Sequence, residues 1–295
     1  MSKLLNSDKL TILVCTTDSY DDLWEPFFKL LSTYWESCEC EILLNSDSKD
    51  YSYKDLNIKS LKGNFDNSTY GSRMLAHANC IDTEYTLLLL DDFFIREKVN
   101  LNQIDQLIDY MESNTNIASI NFDDSNRGGK ELDQLQGYIE LPKIADYKLN
   151  MQAAIWKTTS LREYWDINDN PWKWEIFGNY QTFNGKDCFV DIADSDYSPF
   201  DYGYNSNGMG VYRGRWVKED VVPLFDKHNI IVDFEKRGFY EPLAKTVLFE
   251  SNIETLKYIH NRIGTKYFLS FIKFKTLKKL GFYQKYNNHI AYLNR

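Results

Sequence analysis

Residues 84–92 read EYTLLLLDD: Glu84, Tyr85 and Thr86 lead into Leu87–Leu90, and Asp91 and Asp92 follow at once. An unbroken apolar run of this length, bounded by polar residues, is the pattern of a strand buried on both faces, as in a parallel sheet. A second run, Leu10–Thr16 (LTILVCT), has the same character and passes into the small polar residues Thr16, Thr17 and Asp18. Between the two, Asp18–Asp22 offers helix caps, and Leu23, Phe27, Leu30, Leu31 and Tyr34 recur at helical spacing. Glu41–Asn45 reads as a short strand and Tyr70–Ile81 as a helix. Past the acidic pair come an amphipathic helix over Leu101–Glu112 and a strand over Asn116–Phe122. This β-α-β-α-β-α-β order predicts an α/β fold, a mostly parallel, Rossmann-like central sheet flanked by helices.

The second half changes character. Asp123–Lys130 (DDSNRGGK) is a polar loop, and Lys148–Trp156 alternates as a half-buried strand. Helical patterns follow at Thr159–Trp165 and, behind a proline in the first turn, at Trp172–Thr182. Asp191–Asn207 reads as a long loop and Gly210–Val217 as a strand with a basic edge. From about Glu241 the pattern is helical to the end, broken at Gly264 and Gly281. The expected organisation is one α/β domain over 1–240 and a helical C-terminal extension over 241–295.

Composition narrows the partners. The chain has 295 residues, 43% hydrophobic and 26% charged, which suits a folded globular protein. Its net charge of −9 argues against a nucleic-acid binder. That charge is segregated: 255–295 holds nine Lys/Arg and no acid, which leaves −18 on the first 254 residues. Within that tail, KYFLSFIKFKTLKKLGFYQKY (266–286) interleaves Phe, Leu, Ile and Tyr with Lys at near-helical spacing. Such a helix suits an anionic membrane surface; alternatively, its apolar stripe packs on the α/β domain. No run of 18 apolar residues exists to span a bilayer. The N-terminus carries no cleavage-site pattern, and five scattered cysteines fit no disulfide framework, so a cytoplasmic location is expected.

The acidic pair carries the chemistry. In an open parallel sheet, ligands bind at the carboxyl ends of strands, and adjacent carboxylates there suit a hard divalent cation, Mg²⁺ or Mn²⁺. The plainer reading is that they cap the next helix or face water. Cys38 and Cys40 have no second Cys pair or neighbouring His to complete a metal site, while Cys15 and Cys80 fall in apolar patterns and read as buried. His228, after VVPLFDK, reads as a surface residue, with a further site residue as the alternative. Neither a phosphate-binding loop with the G-x-x-x-x-G-K-[ST] pattern nor a G-x-S-x-G elbow is present.

Several segments together carry a resemblance. The strand ending in Thr16-Thr17-Asp18, the helix bearing Arg73, EYTLLLLDDFF, NMQAAIWKTTSLREYW (150–165) and NPWKWEIFGN (170–179) resemble the nucleotide-sugar glycosyltransferases of the GT-A fold. They are most similar to bacterial enzymes that build capsule or other surface polysaccharides. The resemblance spans roughly residues 8 to 240. It implies a UDP-sugar donor, a saccharide acceptor that is lipid-linked, inverting transfer, a Mn²⁺ or Mg²⁺ ion, and work at the inner face of a membrane. It assigns Thr16, Thr17, Asp18 and Arg73 to the donor pocket, and gives Asp92 the main metal position with Asp91 secondary. One departure stands out: Leu90 occupies the place of the first carboxylate in the family's Asp-any-Asp pattern. Asp18 otherwise reads as a helix cap and Arg73 as a solvated surface residue. Arg213, with Arg215, is a further candidate for the diphosphate or the acceptor. Glu175 is the candidate general base, since inverting transfer needs a carboxylate beside the acceptor hydroxyl. The flanking Trp172 and Trp174 would desolvate it and stack on sugar faces. The competing reading is a carbohydrate- or membrane-binding protein without turnover; a nucleotidyltransferase is a third, without a Gly-rich triphosphate loop to support it.

Overall fold

The computed structural model describes residues 7–61, 69–122, 128–203, 209–241 and 252–282. Nine strands form one sheet: β1 (Leu10–Cys15), β2 (Ile42–Asn45), β3 (Ile58–Ser60), β4 (Tyr85–Leu90), β5 (Ile117–Asn121), β6 (Lys130–Glu131), β7 (Tyr138–Glu140), β8 (Ala154–Lys157) and β9 (Cys188–Ile192). Their order across the sheet is β3-β2-β1-β4-β8-β5-β9-β7-β6. β3, β2, β1 and β4 run parallel, as do β5 and β9. β8 lies antiparallel between β4 and β5, and β7 and β6 close the far edge antiparallel to their neighbours. This is the expected α/β architecture, a mostly parallel sheet with helices on both faces.

The continuous apolar strands are explained by two cores. Leu10, Ile12 and Val14 of β1 point into one, shared with helix α1 (Trp24–Tyr34) and helix α3 (Leu101–Ser113). Leu13 and Cys15 point into the other, shared with helix α2 (Tyr70–Asn79) and helix α4 (Thr158–Tyr164). Since successive strand residues alternate faces, burial on both sides requires apolar residues at every position. The helices start where their caps say. The Thr69 hydroxyl accepts from the Ser72 N–H at 3.1 Å, and the Asn100 amide oxygen from the Gln103 N–H at 3.2 Å.

Four expectations change. The strand expected over Lys148–Trp156 is the shorter β8, and it is central rather than half-buried: Ala154, Ile155 and Trp156 are fully enclosed. The Gly210–Val217 strand is a hairpin, Val211–Tyr212 against Arg215–Trp216, with Arg213 (φ 51°) and Gly214 (φ 81°) in its turn. Two successive positive φ values make a primed turn that matches strand twist, and Gly takes the second at no steric cost. Cys80 is exposed, whereas Cys15 is buried as expected. The Asp191–Asn207 loop begins inside β9, and 204–208 lie outside the described residues. Most of Asp123–Lys130 and the stretches 242–251 and 283–295 also lie outside them.

The segment after α4 is continuously helical from Pro171 to Asn184 but changes pitch, with a π-turn at Trp174–Gly178. Close contact fixes the loop before it to α2. A Cβ on Gly71 would lie 2.1 Å from the Asp166 carbonyl oxygen, so only glycine allows this approach, and the Gly71 N–H donates to the Asp169 carbonyl at 2.9 Å. The C-terminal helix Asn252–Lys279 lays Ile263, Phe271 and Phe274 on Ile176, Phe177, Tyr180 and Phe183. It is interrupted at Gly264 (φ 79°, ψ 165°).

Candidate active site at the carboxyl edge of the sheet

Every long parallel strand passes from apolar to polar at its carboxyl end. Thr16 follows β1, Asn45 closes β2, Asp91 follows β4, Asn121 closes β5 and Asp191 lies near the end of β9; all five are buried. A row of buried polar groups along one edge must be held by mutual hydrogen bonds or by a ligand. The bonds begin at Thr16, whose hydroxyl donates to the Asp91 carboxylate and accepts from the Trp24 indole N–H at 2.8 Å. Asn121 donates to Asp191 at 2.8 Å.

Arg73 is not a surface residue. It is 4% exposed, and its Nε donates to the Asn45 side chain at 3.0 Å. One terminal nitrogen pairs with Asp47, and the other reaches the Thr16 carbonyl at 3.3 Å. The guanidinium thus ties together the ends of β1 and β2, and its ring neighbour Tyr70 lies 5.2 Å away. Asp18 serves the same junction. Its carboxylate accepts the backbone N–H groups of Asp47, Ser48 and Lys49 and the Ser48 hydroxyl, while its own N–H donates to Asp47 at 2.7 Å. Burial raises the Asp18 pKa, but the Ser48 hydroxyl and these backbone donors outweigh it and hold the group below the usual carboxylate range. Asp18 therefore braces the β2 loop rather than capping α1. Thr17 is half-buried beside it, its hydroxyl 2.7 Å from that of Ser19.

The acidic pair is the electrostatic centre. Burial, and then the Asp92 charge, push Asp91 well above the ordinary carboxylate range; burial raises Asp92 to about 7. Opposing them is Arg237, which sequence reasoning missed. Its charge acts on both carboxylates, and its guanidinium holds Asp22 through Nε at 2.6 Å and through a terminal nitrogen at 2.5 Å. It also donates to the Ser19 carbonyl at 2.9 Å and stacks 4.3 Å over Tyr20. Among the described residues no cluster of three or more His, Cys, Asp and Glu side chains stands ready for a metal. Two adjacent carboxylates, both held above the ordinary range, still fit a Mg²⁺-type ion, which takes one or two protein carboxylates and completes its shell with phosphate and water oxygens.

Glu175 reaches the same edge by another route. Because β8 is antiparallel, the residues before it, up to Ala153, lie at the carboxyl ends of β4 and β5; the Phe122 N–H bonds the Ala153 carbonyl at 2.9 Å. Glu175 Oε1 accepts the Met151 N–H at 3.1 Å and so is anchored there. It lines a crevice of about 130 Å³ with Tyr147, Trp172, Tyr258 and Arg262. Tyr147 sits at φ 57°, in the left-handed region that a bulky side chain rarely adopts. The two tryptophans part company. Trp172 is half-buried under the Arg262 guanidinium at 4.3 Å. Trp174 is fully buried, stacked 4.5 Å from Trp165, with its indole N–H on the Tyr164 carbonyl at 3.0 Å. It is core, not a sugar platform. Arg213 stands exposed at the hairpin tip over Tyr212, with Arg215 also exposed. His228 is bonded to the Tyr34 hydroxyl at 2.8 Å. Lys148, adjoining Tyr147, is 2% exposed, and burial lowers its pKa to about 7.

Among known proteins, no family model matches the chain, and no curated sequence does. Solved structures are similar in fold. One is residues 1–349 of S. aureus TarS, at 13% identity and TM-score 0.45, covering 65% of this chain and 59% of that one. The same protein in complex with UDP-GlcNAc matches at 15% identity and TM-score 0.43, covering 65% and 57%. The galactosyltransferase LgtC, bound to donor and acceptor sugar analogues, matches at 14% identity and TM-score 0.35, covering 53% and 60%. The chain thus spans less than two thirds of the length of each.

Proposed function

We propose that this protein is a glycosyltransferase that moves a sugar from a UDP-sugar donor onto a saccharide acceptor in bacterial surface polysaccharide synthesis, capsule included. The observation that carries the proposal is the pairing of two features on one sheet edge. A carboxylate pair, Asp91 buried and Asp92 half-buried beside it, stands at the end of β4, and a separately anchored carboxylate, Glu175, stands at the mouth of β8. In this reading the donor lies over the ends of β1 and β4, where Thr16, Thr17, Asp18 and Arg73 shape the floor. Arg73 and Asp18 act as positioning residues, because their hydrogen bonds go to the strand ends. Asp92 and Asp91 would hold Mn²⁺ or Mg²⁺, which supplies charge neutralisation for the leaving nucleotide diphosphate. Glu175 accepts the proton of the acceptor hydroxyl as that oxygen attacks the anomeric carbon from the face opposite the leaving group, which inverts the configuration. Trp172 and Tyr147 offer ring faces to the acceptor. A lipid-linked acceptor would make the enzyme peripheral to the inner face of the membrane, with the catalytic work in 1–240 and the extension 241–295 beside it.

The test is donor turnover across a panel of UDP-sugars, with Mn²⁺ and after chelation. The expected result is metal-stimulated release of UDP by the wild type and a loss of two or more orders of magnitude in Asp92→Ala, several kcal/mol of transition-state stabilisation. Turnover unchanged by strong chelation would remove the metal role. Leu90 in place of a carboxylate favours one second reading, a sugar-binding protein without turnover. Donor binding by calorimetry with no UDP release under any condition would select it.

A further inference from the structure

The helix Asn252–Lys279 carries two apolar stripes, and the fold uses one. Ile263, Phe271 and Phe274 are buried against Ile176, Phe177, Tyr180 and Phe183, with Tyr267 and Leu277 packed beside them. At 3.6 residues per turn, Leu269, Ile272, Lys273, Thr276, Lys279 and Leu280 fall on the opposite side, and each is exposed. Leu269 is 65% exposed, Leu280 62% and Phe282, just past the helix end, 53%. Of the seven large hydrophobic residues exposed among the described residues, four lie between 269 and 282. Single exposed apolar side chains need no explanation, but a row of them does.

The charge around that row has a sign. Lys266, Lys273 and Lys279 are exposed on the helix, while Lys275 and Lys278 pair with Asp146 of the α/β domain at 3.3 and 3.0 Å. No acid occurs from 255 to 295, so the outer face is basic and apolar at once, on a body that carries −18. The helix end is also built to keep the row together. The Phe282 N–H bonds the Leu277 carbonyl at 2.9 Å and the Gly281 N–H that of Lys278 at 3.0 Å, with Gly281 at φ 77°. This closed turn fixes Phe282 at the end of the helix.

We propose that this outer face lies on an anionic bilayer, with Leu269, Ile272, Leu280 and Phe282 entering the headgroup boundary and Lys266, Lys273 and Lys279 meeting lipid phosphates. No helix among the described residues is long and apolar enough to cross a membrane, so the contact is one of adsorption. The acidic body is repelled by the same surface, which turns the helix toward it. A second copy of the chain is a poor occupant, because two such basic faces repel. Adsorption of this face does not depend on sugar transfer, and either can fail alone. Taken together they are informative, since the helix that meets the lipid also walls the crevice that holds Glu175.

Removing the whole helix would bare Phe177 and Tyr180, so the test uses surface variants of the full chain. Co-sedimentation is run with phosphatidylglycerol-containing vesicles and with pure phosphatidylcholine vesicles, at low and high salt, alongside circular dichroism and sedimentation velocity. The wild type should pellet with the anionic vesicles at low salt, and neither with the neutral ones nor at high salt. The triple charge variant Lys266→Glu, Lys273→Glu, Lys279→Glu should lose on the order of 100-fold in partitioning. The apolar variant Leu269→Ser, Ile272→Ser should lose binding with its fold and its UDP-sugar turnover unchanged. No binding by the wild type, equal binding by both variants, equal binding to neutral vesicles, or a dimer that Leu269→Ser, Ile272→Ser dissolves would each overturn the proposal.

Discussion

Arg237→Met separates the electrostatics of the site from its scaffolding. Methionine keeps a flexible apolar stem against Tyr20 but removes the charge that faces Asp91 and Asp92 and the two-pronged grip on Asp22. The pair it breaks is largely enclosed: the Arg237 side chain is 8% exposed and that of Asp22 15%. Asp22 then keeps the half-exposed Lys236, at 3.4 Å, so losing its enclosed partner costs about 2 kcal/mol, which lowers the melting temperature by roughly 3–6 °C for a chain of this size. Turnover should fall further than folding accounts for, because a cation beside a developing diphosphate charge contributes about 2–4 kcal/mol to the transition state. The expected loss in kcat/KM is therefore roughly 30- to 1000-fold. The double variant Asp22→Asn, Arg237→Met discriminates. With the stranded carboxylate gone, stability should return to within about 1 kcal/mol of the wild type, while turnover stays low. Thermal melts and UDP-release kinetics on the same preparations read both quantities. Turnover that recovers together with stability would show that Arg237 only props up Asp22, and the electrostatic argument would fall.

Glu175→Gln keeps an oxygen for the Met151 N–H but cannot take a proton, so transfer should drop on the order of 100-fold or more while calorimetry finds donor affinity intact. Lost affinity with an unchanged rate per bound donor would make Glu175 a donor ligand instead. Lys148→Met should stabilise the fold, and most below neutral pH. The lysine pKa is depressed to about 7 in the folded state against 10.5 for the free group, so the unfolded chain binds the extra proton between those values. Native stability then carries the full penalty below about pH 7 and sheds it as pH rises toward 10.5. The stability gain of the variant should accordingly shrink by about 3 kcal/mol between pH 7 and pH 10, measured by urea denaturation; a gain independent of pH would mean that Lys148 is already satisfied.

β1, β2, β4 and β5 were legible because a strand buried on both faces has no choice of composition, and the two-core packing of Leu10–Cys15 shows why. The edge was legible too, for the same reason inverted: LVC-TT, LLN, LLL-DD and SIN each end an apolar run on a polar residue, and Asp191 breaks the FVDI run one residue before β9 ends. Reading that switch at every strand, rather than at Asp91 and Asp92 alone, would have found Asn45, Asn121 and Asp191. Other features depend on partners far along the chain. β3, β6 and β7 are two or three residues long, and pairing with a neighbour defines them, not propensity. The direction of β8 follows from where β4 and β5 leave a gap. Arg237 owes its role to Asp22, 215 residues away. Trp172 and Trp174 are two positions apart, about 200° around a helix, so they face opposite ways; which of the two turns inward depends on Trp165 and, far along the chain, on Arg262.

The central place of β8 has a consequence for how the protein is made. The chain lays down β1, β2, β3, β4 and β5 in its first 121 residues, yet the strand that joins β4 to β5 spans 154–157. Until that stretch leaves the ribosome, the Tyr85–Leu88 edge of β4 offers its unpaired backbone to any extended chain nearby, and β5 is bare on both sides, then on one side until β9 arrives. Open apolar edges of this kind template pairing between molecules, and emerging multi-strand sheets are most vulnerable while such edges persist. Expression at lower temperature, or with a chaperone that masks strand edges, should therefore raise the soluble yield of this protein more than any change to its surface.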